Sequence, residues 1–130
     1  MRVALIDDNS DYHFIIKDIL HEFDVESYFT GEDVFRKYYN QEHDMPSVFI
    51  VDYFLDGEIG TEAIKRLNLV DYGILIIGMT SAFDDPSVVK SFYNVRCDRV
   101  ISKDRVAKLP EIIKWMARKR TVRKKNKICL

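Results

Sequence analysis

The chain is poor in cysteine, and its two, Cys97 and Cys129, form neither a metal-binding spacing nor a pair near in sequence. That argues against a disulfide scaffold or a zinc module and leaves reduced thiols as the expectation. The histidines His13, His21 and His43 share no ligand spacing and read as surface or helix-face residues. No apolar stretch approaches the twenty or so residues of a membrane span. Met1 leads straight into a strand-like segment, which leaves no signal peptide, so a cytoplasmic location is expected. Cys129 lies too close to the end for a prenylation box. Internal repeats, low-complexity linkers and an internal domain boundary are also missing. Acidic residues are absent from positions 114–130, which carry eight basic ones, whereas residues 1–113 carry 12 basic and 21 acidic. The body is acidic and the end is basic.

At 130 residues the chain is one domain long enough to bury about two thirds of its unfolded surface. Apolar runs alternate with segments of helical period, five of each, which predicts repeated βα units and a parallel sheet. Strands are expected at about Arg2 to Ile6, Val25 to Phe29 (short and half polar, as suits an edge), Val48 to Asp52, Gly73 to Met79 and Asp98 to Ser102. The first helix shows Phe14, Ile15, Ile19 and Leu20 through Phe23 at helical spacing, with Asp11 as its cap. The second follows Gly31 with Val34, Phe35, Tyr38 and Tyr39, and the third follows Gly60 with Ala63, Ile64 and Leu67. Asp85-Pro86 reads as a cap with proline at the first helical position, opening a helix with Val88, Val89 and Phe92. The last begins by Pro110, with Leu109, Ile112, Ile113 and Met116 on its core stripe.

The ends of the apolar runs carry the chemistry. Val48-Phe49-Ile50-Val51 closes in Asp52, Val3-Ala4-Leu5-Ile6 in Asp7-Asp8, Ile74 through Ile77 stops shortly before Thr80, and Val100-Ile101 just before Lys103. In a parallel sheet, three carboxylates, a hydroxyl and an ammonium then share the edge where such sheets bind ligands. Three crowded carboxylates raise one another's pKa unless a cation shares them, and hard oxygen ligands suit Mg²⁺. A metal, an ammonium and a hydroxyl around one carboxylate nucleophile are the parts needed to neutralise a phosphoryl group in transit. Singly, each signal has a plainer reading. Asp7 through Asp11 alone could be a helix cap and turn, Lys103 a solvated lysine, and Thr80 a strand-end residue bonding its own backbone. A calcium loop fails because Tyr12 stands at the required glycine and Asp18 at the required glutamate.

Together, Asp7-Asp8, Asp52, Thr80-Ser81 and Lys103 resemble the functional set of the bacterial response-regulator receiver domain, over about residues 1–120, with 121–130 as a basic C-terminal tail. The resemblance implies a flavodoxin-like (βα)5 three-layer α/β sandwich, its five-stranded parallel sheet in the order 2-1-3-4-5. It implies that Asp52 accepts a phosphoryl group from a sensor histidine kinase or a phosphotransfer protein. Asp8 would bind Mg²⁺ directly and Asp7 mostly through water, with Asp52 and the backbone carbonyl of Phe54 completing the protein ligands. Lys103 would pair with the phosphoryl group and Thr80 would move to hydrogen-bond it. Such a domain is a signalling module rather than an enzyme beyond its own phosphorylation and dephosphorylation. Its output would be contact with a downstream protein, or a homodimer, through the face of the fourth helix, fifth strand and fifth helix.

Departures from the family pattern are visible. Asp56-Gly57 stands where a proline is common, Asp104 follows Lys103 where a cis-proline is common, and Val100 replaces the aromatic residue that rotates on activation. They keep a second reading open, a degenerate receiver acting as a phosphorylation-independent interaction module; a phosphohydrolase on external substrates ranks last for want of a general acid. No output domain is expected within 130 residues, whether the chain is free-standing or the receiver piece of a longer protein. The basic end reads as a helix C-terminus fraying into a disordered tail. Nucleic-acid or membrane contact is not expected from it, because a short basic tail binds weakly and no recognition helix follows.

Overall fold

Val3 to Ile6 and Val48 to Val51 are apolar on both faces, and in the computed structural model, which describes residues 1–39, 44–70 and 73–128, they form the middle of a parallel sheet. Strands β1 (Arg2–Ile6), β2 (Asp24–Tyr28), β3 (Val48–Asp52), β6 (Leu75–Thr80) and β7 (Arg99–Ser102) stand in the order β2-β1-β3-β6-β7. Between β3 and β6 a two-stranded antiparallel hairpin, β4 (Phe54–Leu55) with β5 (Glu58–Ile59), is additional to the expected elements. Leaving it aside, the order is the 2-1-3-4-5 that the resemblance implies.

Helices α1 (Ser10–Ile19) and α5 (Leu109–Ile128) cover one face of the sheet, and α2 (Gly31–Tyr38), α3 (Gly60–Val70) and α4 (Pro86–Asn94) cover the other. Alternation along β1 divides the core: Val3 and Leu5 face Ile16, Leu20, Leu109 and Ile113, while Ala4 and Ile6 face Val34, Phe35, Ala63 and Ile64. Each such fully buried Leu, Ile or Phe contributes about 1.5–3 kcal/mol by leaving water, so the two clusters hold the strand ends in register.

Local chemistry sets the element boundaries. Asp85 caps α4 ahead of Pro86, as the sequence predicts, and Thr30 caps α2 by accepting from the Asp33 amide. The cap of α1 is Asn9, accepting from the Asp11 amide at 2.9 Å, and not Asp11 itself. Its buried stripe is His13, Ile16 and Leu20; Phe14, 82 % exposed, and Ile15 point outward, contrary to expectation. His13 is therefore a core residue rather than a surface one. Tyr39 is likewise exposed. The expected frayed tail is helical instead, since α5 runs to Ile128; Cys129 lies outside the described residues. Cys97 is a free, buried thiol donating to the Arg99 carbonyl at 3.0 Å. No cis peptide bond and no helix long and apolar enough to cross a membrane occur among the described residues.

Candidate functional site

The carboxyl ends of β1, β3, β6 and β7 converge because the parallel register aligns them: Ile6 pairs with Val51, Asp52 with Met79, and Thr80 with Ser102. Asp7 follows β1 immediately and is fully buried. Its amide donates to the Tyr28 carbonyl at 3.1 Å, and its Oδ1 accepts from the Asn9 amide at 2.9 Å. Asp52, the last residue of β3, is 4 % exposed, while Asp8 reaches solvent. One carboxylate oxygen from each of Asp7, Asp8 and Asp52 lies within 4.8 Å of the others.

Lys103 enters from the far side, on the first residue of a 3-10 turn (Lys103–Lys108) that Ser102 Oγ caps by accepting from the Asp104 amide at 3.2 Å. Its Nζ donates to Asp52 Oδ2 at 3.2 Å and stands 3.3 Å from Asp7 Oδ2. The second contact is an ion pair without hydrogen-bond alignment, so Asp7 Oδ2 is buried with no hydrogen-bond donor. Thr80 is fully buried at the end of β6, with Oγ1 accepting from the Ala82 amide at 2.9 Å. The plain reading of that hydroxyl thus holds here, and its own proton stays free to donate elsewhere. Phe54 lies in β4, two residues beyond Asp52, its ring half-exposed and edge-on to Tyr53.

The electrostatics follow from this crowding. Burial pushes Asp52 up and the Asp7 carboxylate adds to it; Lys103 offsets only part, and the carboxyl is pushed up to about 6. Burial pulls Lys103 down, but Asp52 and Asp7 outweigh it, so its pKa ends raised and its charge secure. Hard oxygen donors, mutual repulsion and a buried carboxylate oxygen lacking a donor fit a small divalent cation such as Mg²⁺.

Four residues support the site in ways that sequence reasoning did not assign. His13 Nε2 lies 2.6 Å from the Asp7 carbonyl oxygen; a carbonyl only accepts, so Nε2 carries the proton and the ring props the Asp7 backbone, with Phe29 against its other side at 4.5 Å. The spacing His13, Ile16, Leu20 was a partial signal, masked by the apolar Phe14 and Ile15 on the other side of the helix. Tyr12 places its ring 4.0 Å from Lys103 Nζ. Gly60 opens α3 directly against β3: a Cβ there would land on the Asp52 carbonyl oxygen, so no side chain fits without displacing the strand end. Gly57, at φ +79°, supplies the left-handed turn of the hairpin between Asp52 and Gly60.

Comparison with known proteins agrees with this geometry. A receiver domain protein (CheY-like) from Methanospirillum hungatei JF-1 superposes with a TM-score of 0.82 at 22 % identity, over 94 % of this chain and 97 % of that one. The BeF3-activated receiver domain of DrrB, from Thermotoga maritima, gives 0.74 at 19 % identity, over 92 % and 96 %. The Mn²⁺-bound form of response regulator Rcp1 gives 0.69 at 14 % identity, over 80 % and 81 %. These likenesses are of fold. No curated protein matches in sequence. The family described as the response regulator receiver domain matches residues 3–114, so with four strand ends meeting in one acidic, lysine-closed site, the chain belongs to that family.

Proposed function

We propose that this chain is a phosphorylation-controlled, Mg²⁺-dependent signalling module whose phosphoacceptor is Asp52. The observation that carries the reading is Lys103 Nζ, 3.2 Å from Asp52 Oδ2, within a cluster of three carboxylates. In the reaction an Asp52 oxygen attacks the phosphorus of a phosphohistidine on a sensor kinase or phosphotransfer protein. An O–P bond forms, the P–N bond breaks, and the imidazole leaves with the electron pair. Water later attacks the same phosphorus and returns Asp52 as a carboxylate, releasing inorganic phosphate.

The chain's own groups divide the work. Asp8 and Asp52 would hold Mg²⁺ directly, Asp7 through water, with the Phe54 backbone carbonyl as a further ligand; the ion would supply charge neutralisation on the phosphoryl oxygens. Lys103, held by two carboxylates, is free to transfer its ammonium to those oxygens as they arrive. Thr80 keeps a proton to donate once its hydroxyl turns from the Ala82 amide. The neighbours DrrB and Rcp1, caught BeF3-activated and Mn²⁺-bound, make the same chemistry reasonable here.

The output surface is proposed to be the face of α4, β7 and α5. There Trp115 stands 45 % exposed, with Lys119 Nζ 4.3 Å and the Arg99 guanidinium 6.0 Å from its ring. Tryptophan and arginine are the usual anchors of interfaces, for a downstream protein or a second copy. Residues 1–120 form the receiver unit in this reading, with 121–130 an appendage to it.

Val100, 5 % exposed, favours the second reading, a degenerate receiver, because it cannot act as a rotating aromatic. Incubation with acetyl phosphate and Mg²⁺ followed by intact-mass measurement decides between them. The expected result is one added phosphoryl group, lost in Asp52→Asn. No added mass in the parent chain supports the degenerate reading, and equal labelling of the variant places the nucleophile elsewhere.

A further inference from the structure

The ammonium of Lys103 has a third contact besides its two carboxylates. Tyr12, on the first turn of α1, presents its ring to Nζ at 4.0 Å from the centroid. The ring is half-buried and rests on the core cluster that includes Ile16, Ile113 and Met116, so it is backed by packed apolar side chains. The lysine side chain is only 12 % exposed, which keeps water from competing strongly for the ammonium. A desolvated cation on an aromatic face is where such an attraction is strongest.

The electrostatics of the site give that contact a task. Without a metal, Asp52 and Asp7 hold the ammonium by charge. The same carboxylates belong to the cluster fitted to a divalent cation, and a cation among them weakens their pull on Lys103 and repels it. An aromatic face does not compete as a metal ligand. It is the one partner in this trio whose attraction persists when the carboxylates are neutralised.

We propose that Tyr12 is a positioning residue: its ring face holds the Lys103 ammonium at the phosphoryl site, including when the acidic cluster carries a divalent cation. Tyr12 touches none of the reacting atoms. It acts by sparing a flexible four-carbon side chain the search for its working position. The face of the ring carries the effect and the hydroxyl does not, so phenylalanine serves equally well. The inference rests on Asp52 being the phosphoacceptor, but its first readout does not depend on that.

The test has two arms. In the first, NMR of the unphosphorylated protein, with and without Mg²⁺, follows the Lys103 Cε protons. Stacking on the Tyr12 face shifts them upfield; Tyr12→Phe keeps the shift in both conditions, and Tyr12→Leu abolishes it. In the second, phosphorylation by acetyl phosphate at saturating Mg²⁺ is measured across donor concentration. Tyr12→Leu lowers the maximal rate roughly three- to tenfold, the size of a partly desolvated cation–π contact, and Tyr12→Phe restores it. Phenylalanines of rising fluorine content at position 12 keep the shape of the ring while emptying its face, and lower the rate step by step even if the leucine variant is unstable. An absent upfield shift in the parent protein with Mg²⁺ overturns the proposal. So does a fluorinated series with a flat rate, or a phenylalanine variant as slow as leucine. A shift that behaves as stated in a protein that takes no phosphoryl group overturns the phosphoacceptor reading instead.

Discussion

Asp52→Asn should stabilise the metal-free protein, and only above the pH at which Asp52 ionises. Burial and the Asp7 carboxylate raise the Asp52 pKa from 3.8 to about 6 in the folded chain. An acid with a raised folded pKa holds its proton more tightly folded than unfolded. Folding then takes up a proton between 3.8 and about 6, stability falls as pH rises through that window, and the full penalty applies above it. At about 1.4 kcal/mol per pH unit the penalty is about 3 kcal/mol. Asparagine removes the charge but also weakens the hydrogen bond from Lys103 at 3.2 Å. That loss costs about 1 kcal/mol or slightly more, so the net gain is about 1–2 kcal/mol. In a domain of this size it raises Tm by roughly 3–8 °C. Urea denaturation and calorimetry in EDTA should show the gain near pH 7.5 and almost none near pH 4. Added Mg²⁺ should then stabilise the parent chain more than the variant, because the ion relieves the repulsion that asparagine has already removed. A variant that is destabilised near pH 7.5 in EDTA, or one equally stabilised near pH 4, refutes the account of the site as a set of competing charges.

Two further perturbations probe the scaffold. Glu26 on β2 is pushed up by burial, but hydrogen bonds from Arg2, Tyr38 and Tyr28 outweigh this and bring it down to about 2. Its stabilising contribution is complete above the ordinary value of 4.5 and fades as pH falls toward 2. Glu26→Gln should therefore cost about 1–2 kcal/mol near pH 7, after discounting for solvent screening, and the gap to the parent should narrow from about pH 5 and close only near pH 2 in urea titrations; a gap independent of pH refutes the ionic origin. Gly60→Ala pushes a methyl group into the Asp52 carbonyl and should cost about 1–3 kcal/mol in urea denaturation, with slower phosphorylation by acetyl phosphate; unchanged stability and rate would mean that the loop before α3 yields freely.

The site was legible in the sequence because its residues stand at the ends of apolar runs, and a parallel sheet brings such ends together whatever the loops do. Asp7, Asp8, Asp52 and Lys103 needed only the strand assignments to meet. The rotation of α1 was not legible in the same way. Phe14, Ile15, Ile16, Ile19 and Leu20 put apolar groups nearly all round that helix, so periodicity could not choose a face, and the two exposed ones misled. What fixes the face is the cap. Asn9 starts the helix two residues after Asp7, which turns His13 onto the Asp7 carbonyl and Tyr12 toward Lys103. The hairpin escaped because strands of two residues leave no alternation to read, although Asp56-Gly57 between Phe54-Leu55 and Glu58-Ile59 is a hairpin signal. Its presence changes how Asp56 is understood. A family position commonly held by proline here begins a turn whose second residue, Gly57, is left-handed, and the turn returns the chain so that the Gly60 amide donates to the Tyr53 carbonyl at 2.6 Å. The departure from the family pattern therefore preserves the backbone beside Asp52 by another route, and that weighs against reading it as a sign of a degenerate site.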